Sequence, residues 1–229
     1  MQLKSKINAI VWDLDGTIIN FKIDSMGARR ITIDILRSHG INKKNLSTKK
    51  GIMDNIDTAR ELFITRGYNS NQIDEILKEI DSEISKIEYK AALDASAIVG
   101  IEDVLKCIKG RNLKQAIYTL NKYKHAKISL EKVDLLSYFD VIIGRDNVNK
   151  AKPHPDHLLE ICKRLQVKPN EIIVIGDTSR DIEGAINVGA YSIALLTKLA
   201  KMEELQKADI IIEEKEIPTK LIKEIEKLL

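Results

Sequence analysis

The run IVWDLDGTII, residues 10–19, is an apolar segment that ends in two aspartates, Asp13 and Asp15, split by one leucine and followed by Gly-Thr. The residues leading into it, INAIVW at 7–12, read as a buried strand. Two carboxylates at its mouth repel each other. Unit charges about 4 Å apart cost roughly 4 kcal/mol at an effective dielectric of about 20. Such a pair persists beside a partner of opposite charge or as part of a reaction. In an extended segment residues i and i+2 point the same way. Asp13 and Asp15 can therefore face one centre while Leu14 turns into packing.

The strand pattern returns only after residue 95. A helix (IEDVLKCIKGR, 101–111) leads to the strand QAIYTL (115–120), and a further helix leads to FDVIIG (139–144). PDHLLEICKRLQ (155–166) reads as a helix, EIIVIGD (171–177) as a strand, DIEGAINVG (181–189) as a helix and YSIALL (191–196) as a strand. A short strand ADIII (208–212) and a closing helix IPTKLIKEIEKLL (217–229) follow. Short apolar strands alternating with helices define an α/β fold, a Rossmann-like, doubly wound, mostly parallel sheet covered on both faces.

Between the first strand and this alternation lies a helical block. Ile52, Ile56, Ala59, Leu62 and Phe63 recur at helical spacing and stop at Gly67. Ile73, Ile76, Leu77, Ile80, Ile84 and Ile87 form a second stripe, with Asn69 or Ser70 as its cap. Residues 20–92 are expected to be an inserted all-helical cap domain, with hinges near 19–22 and 93–96. Residues 1–19 and 93–229 form the α/β core.

Composition narrows the partners. The 229 residues are 44% hydrophobic and 31% charged, with a net charge of +3, too balanced to point to nucleic acid or an anionic membrane. Cys107 and Cys162 lie far apart with no CxxC spacing, so neither a disulfide framework nor a zinc site is expected. No apolar run nears the roughly 20 residues that span a bilayer, and Asp13 interrupts any signal-peptide core. A reducing cytoplasm is the expected setting. Oligomeric state is not legible.

In an open parallel sheet, ligands bind beyond the carboxyl ends of the strands. Asp13, Asp15, Gly16 and Thr17 follow the first strand, and Thr119 and Asn121 the second. Lys152 and Pro153 come after FDVIIG, and Asp177, Thr178 and Asp181 after EIIVIG. Singly, an aspartate after a strand reads as a turn or helix-cap residue, and Lys152 as a surface lysine. Together they bring carboxylates, a lysine and a hydroxyl to one rim. Clustered carboxylates with a backbone carbonyl suit a hard cation such as Mg²⁺. The spacing does not fit an EF-hand loop. With Lys152, the cluster forms a receptor for a dianion such as phosphate, which Gly16 lets the backbone approach.

These residues resemble the haloacid dehalogenase-like hydrolase superfamily, particularly its phosphoglycolate-phosphatase-like members. DLDGT (13–17) matches the first motif of that group, and YTLN (118–121) resembles the second in the form Thr-x-Asn, where many relatives have Thr-Asn. KPHPD (152–156) matches the third and GDTSRD (176–181) the fourth. The resemblance implies an Mg²⁺-dependent phosphatase acting on a small phosphorylated metabolite. Asp13 would be its nucleophile and Asp15 its general acid–base. The Asp13 side chain, the Asp15 carbonyl and Asp177 would hold the metal. Lys152 would neutralise charge, and Asp181 would fix Lys152 or a metal-bound water. Thr119 and the Asn121 backbone would hold a phosphoryl oxygen, and Thr17 would order the loop. Phe21, Arg29 and Arg30, past the first hinge, could reach an anionic substrate. His154 and His157 read as helix-start residues. The rivals are a phosphomutase, a dehalogenase, a phosphonate hydrolase and a catalytically idle binding protein. Asp15 opposes the dehalogenase, because a halide leaving group needs no proton.

Overall fold

The computed structural model describes residues 6–20, 23–198 and 200–229. By contact, the chain divides into two compact units, Met1–Phe21 with Ala92–Leu229, and Lys22–Ala91.

The first unit starts with β1 (Ala9–Trp12) and a two-residue strand, β2 (Ile19–Asn20), which pairs antiparallel with β3 (Ser96–Ala97). The second unit and its exit carry α1 (Ser25–Ser38), α2 (Ile52–Thr65) and α3 (Ser70–Leu93). Then follow α4 (Ile101–Gly110), β4 (Lys114–Tyr118), α5 (Tyr123–Lys132), β5 (Val141–Ile143), α6 (Pro155–Leu165) and β6 (Ile172–Gly176). The chain continues through α7 (Ser179–Val188), β7 (Tyr191–Leu196), α8 (Met202–Leu205), β8 (Ile210–Glu213) and α9 (Thr219–Leu228).

Among the described residues, six parallel strands form one sheet in the order β5-β4-β1-β6-β7-β8. Every residue of β1 and β6 is buried, as expected for central parallel strands covered on both faces. Alternate residues divide between the two faces. Ile10, Trp12, Ile117, Ile173 and Ile175 pack with Ile101 and Leu105 of α4 and Leu221 and Ile225 of α9. Ala9, Val11, Ala116, Tyr118 and Val174 pack with Leu158, Ile161 and Leu165 of α6 and Ala185 of α7. Leu14 is fully buried in the first of these layers.

The helical unit has a core of its own, including Leu36, Ile56, Ala59, Phe63, Ile73, Ile76 and Ile80. The α2 stripe is the one its spacing predicts. Its end comes at Gly67, whose positive φ of 82° lets the Tyr68 N–H return to the Phe63 carbonyl at 3.0 Å. Asn69 is the cap of α3. Its side chain accepts from the Gln72 N–H at 3.0 Å, and the Gln72 side chain accepts from the Asn69 N–H at 2.9 Å. The β2–β3 pair and α8 are too short to show a period, and the sequence pattern gave no sign of them. Among the described residues no helix is long and apolar enough to cross a membrane.

Candidate active site

β1 lies between β4 and β6, where the strand order changes direction: β4 and β5 extend to one side, and β6 to β8 to the other. The carboxyl edge of β1 is thus the switch point at which such sheets bind ligands. Asp13 leaves β1 with its N–H bonded to the Ile175 carbonyl at 2.7 Å, and Thr119 leaves β4 with its N–H on the Ile143 carbonyl at 3.2 Å. The sheet register therefore brings Asp13, Thr119 and Asp177 side by side.

Lys152 enters this rim from the loop after β5. Its buried Nζ donates to Asp13 Oδ1, to Asp181 Oδ1 at 2.7 Å and to the Tyr118 backbone carbonyl at 3.1 Å. It also lies 4.6 Å from the centre of the Tyr118 ring, within cation–π range. Burial works against the ammonium, but Asp13 and Asp181 outweigh it and hold its pKa above the ordinary lysine value. Asp181 engages both carboxylate oxygens: Oδ1 with Lys152, Oδ2 with the Thr178 N–H at 3.0 Å and hydroxyl at 2.6 Å.

One ammonium does not balance the carboxylates. Burial, then the charge of Asp181, push the Asp13 carboxyl well above the usual range, while Lys152 pulls it back. Burial, then Asp181, push Asp177 up to about 6. One oxygen from each of Asp13, Asp177 and Asp181 lies within 4.8 Å of the others. Surplus negative charge of this kind is what a divalent cation neutralises, and the cation inverts the local pKa shifts.

The donor set fits such an ion. Asp177 Oδ2 accepts from the Thr197 hydroxyl at 3.3 Å, whereas its Oδ1 is buried without a hydrogen-bond partner. Gly16 adopts φ of 80°, and a Cβ there would lie 2.2 Å from Asp177 Oδ2. The absence of a side chain at Gly16 lets the Asp177 carboxylate lie against the loop that bears Asp13 and Asp15. With both Asp181 oxygens occupied by protein donors, Asp13 and Asp177 are the carboxylates left for a hard cation.

On the β4 side, Thr119 Oγ1 accepts from the Asn121 N–H at 3.1 Å, so its own hydroxyl proton remains available to donate. The Asn121 side chain reaches the half-buried Asp15, with Nδ2 3.1 Å from Oδ1 and 2.9 Å from Oδ2. Thr17 Oγ1 is buried without a partner. Arg29 donates to the Thr48 carbonyl at 3.2 Å within the helical unit, and Arg30 is exposed there. Phe21 lies outside the described residues.

His154 is the helix-start residue the sequence suggests, the α6 cap, its ring nitrogen accepting from the Asp156 N–H at 3.2 Å. Other residues at the site escape a reading of the sequence alone. His157 sits in the first turn of α6 but is fully buried. Its Nδ1 accepts from the Lys152 N–H at 3.1 Å, and Nε2 donates to the Ile143 carbonyl at 3.0 Å. Its ring meets Tyr118 edge-on at 4.6 Å. Burial lowers its pKa to about 4, so it is neutral and anchors the lysine loop to β5. Thr197 directly follows β7, and asking which polar residue succeeds each strand would have found it. No sequence pattern marks Tyr118 or His157, because each acts through tertiary contact.

The chain is similar to known proteins over most of its length. A profile described as haloacid dehalogenase-like hydrolase matches residues 10–195. A protein of Bacillus mycoides named pyrophosphatase PpaX is 26% identical over 198 residues, covering 83% of this chain and 84% of its own. A phosphoglycolate phosphatase of Nitrosospira multiformis is 22% identical over 204 residues, covering 83% and 84%. The crystal structure of β-phosphoglucomutase from Clostridium difficile superposes with a TM-score of 0.68 at 21% identity, covering 95% and 96%, a likeness of fold. With the profile spanning β1 to β7 and its motifs gathered on the carboxyl edge of the sheet, the chain belongs to the haloacid dehalogenase-like hydrolases.

Proposed function

We propose that this chain is a magnesium-dependent phosphatase that hydrolyses a small phosphate monoester, phosphoglycolate-phosphatase-like, through an aspartyl-phosphate on Asp13. The observation that carries the reading is the convergence of Asp13, Lys152, Asp181 and Asp177 at the switch point, with one Asp177 oxygen buried and unbonded.

A carboxylate oxygen of Asp13 attacks phosphorus in line, and the ester P–O bond breaks with its electron pair going to the leaving oxygen. The Asp15 carboxyl gives that oxygen its proton. Asp15, now a carboxylate, takes a proton from a water whose oxygen attacks the phosphoryl group. The P–O bond to Asp13 then breaks, and inorganic phosphate leaves. Lys152 neutralises charge on the nucleophile and the transferring group, and Asp181 holds Lys152 in place. Thr119 donates its hydroxyl to a phosphoryl oxygen. The Asn121 N–H is turned onto Thr119 and joins in only if that bond exchanges. Held by the Asp13 and Asp177 side chains and the Asp15 main-chain carbonyl, magnesium would supply charge neutralisation and orientation of nucleophile and phosphate. The helical unit is assigned the role of a cap that sets substrate choice.

The test is release of nitrophenol from p-nitrophenyl phosphate with and without magnesium, in the wild type and Asp13→Asn. Magnesium-dependent turnover, reduced by a factor on the order of 10³ or more in the variant, supports the reading. No turnover of any phosphate ester, or turnover that survives Asp13→Asn, overturns it. A panel with phosphoglycolate and pyrophosphate then identifies the substrate, and chloride release from chloroacetate would instead mark a dehalogenase.

A further inference from the structure

Leu120 separates Thr119 from Asn121, which places Asn121 one residue farther along the chain than in a direct Thr-Asn pair. The structure shows what occupies that added step. The Asn121 backbone is fixed on both sides: its N–H donates to Thr119 Oγ1 at 3.1 Å, and its carbonyl accepts from the Arg145 N–H at 3.0 Å. The Arg145 guanidinium also donates to the Leu120 carbonyl at 2.7 Å. Gly144 makes this close approach possible, since a Cβ there would lie 2.6 Å from the Asn121 carbonyl oxygen. From this anchored backbone the buried Asn121 amide projects onto Asp15, a residue 106 positions away in the chain. There Nδ2 lies within hydrogen-bond distance of both carboxylate oxygens, at 3.1 and 2.9 Å. A donor within reach of both oxygens ties the carboxyl to the anchored loop after β4 and resists its displacement from the rim.

We propose that Asn121 is a positioning residue that orients the Asp15 carboxyl for proton transfer to the leaving group. The proposal rests on the phosphatase reading above. Asn121 touches neither the phosphoryl group nor the leaving oxygen through its amide, and acts through Asp15.

Acid catalysis matters in proportion to how badly the leaving group needs a proton. An alkoxide needs one, and 2,4-dinitrophenolate does not. The informative quantity is kcat/KM, which reports the steps up to formation of the aspartyl-phosphate and is blind to its later hydrolysis. In Asn121→Ala, kcat/KM for an alkyl phosphate such as phosphoglycolate should fall about 10- to 100-fold, against less than about 3-fold for 2,4-dinitrophenyl phosphate. With p-nitrophenyl phosphate, the same substitution in an Asp15→Ala background should cost nothing further. Asn121→Ser, smaller but still polar, gives the same ratio measurement if alanine disturbs the loop. Equal losses with both leaving groups, or a full additional loss in the Asp15→Ala background, overturn the proposal and make Asn121 a merely structural residue. Wild-type protein that turns over neither ester overturns the phosphatase reading itself, and this inference with it.

Discussion

Lys152 is a single buried ammonium between two carboxylates, so its removal strands Asp13 and Asp181 away from water. A Lys152→Met variant should lose about 3–5 kcal/mol at neutral pH, read by urea titration in chelator, with part recovered in acid as the carboxyls take up protons. His157 acts in the opposite pH sense. Burial lowers its pKa to about 4, so as pH falls the unfolded chain takes up the proton first. Above the unfolded value near about 6.5 both states are neutral and burial of the ring carries no proton-linked cost, whereas by about pH 4 the protonated unfolded chain has gained roughly 3 kcal/mol on the native state. Asp13 and Asp177, both raised, oppose this trend, because the native state holds their protons more tightly and gains stability as pH falls. Subtraction removes their effect. The stability gap between wild type and His157→Asn should narrow as pH falls from about 7 to about 4.5, and a gap that stays constant would show that His157 is not held neutral.

At the level of elements, α7 approaches β4 closely because Gly184 has no side chain. A Cβ there would sit 2.3 Å from the Tyr118 hydroxyl, whose ring lies under Lys152. Gly184→Val should cost about 1–3 kcal/mol through overpacking, seen as a lower thermal midpoint, and should depress turnover beyond the stability loss by shifting Tyr118. The strands themselves were legible because central parallel strands are continuous apolar runs. The residue after each strand was legible because polar groups at those ends stand out. Asp13, Asp177 and Thr119 emerged from that rule alone. What stayed hidden was relational. Nothing in a linear reading shows that the Asn121 side chain, and not only its backbone, is committed to Asp15. Nor does it show that a histidine in the first turn of α6 supports the backbone of a lysine five residues earlier.

Over the whole molecule, two cores divide the stability. Phe63 is buried in the helical unit with its ring 4.9 Å from that of Tyr68, and it makes no part of the sheet layers. Phe63→Ala should destabilise that unit by about 3–5 kcal/mol. Amide hydrogen exchange should then quicken across α1, α2 and the part of α3 within Lys22–Ala91, while β1, β4 and β6 keep their protection. Uniform acceleration throughout would show that the two units unfold as one. In the sequence the helical block is marked by an abrupt change of period, from strand-and-helix alternation to helical stripes alone. Its limits were harder to read, because β2 and β3, where the chain leaves and rejoins the sheet, are two residues each.

The central strand of the sheet is also its earliest in the chain: β1 pairs Ala9 with Lys114 on one side and with Ile172 on the other. On a ribosome adding roughly 5–20 residues per second, the segment bearing Asp13 therefore waits on the order of ten to thirty seconds for its second neighbour. Until β4 is made both its edges lack hydrogen-bonding mates, and from then until β6 follows one still does, while the helical insertion can already collapse. The nascent polypeptide is thus most exposed to chaperones, or to aggregation, at the segment that carries Asp13.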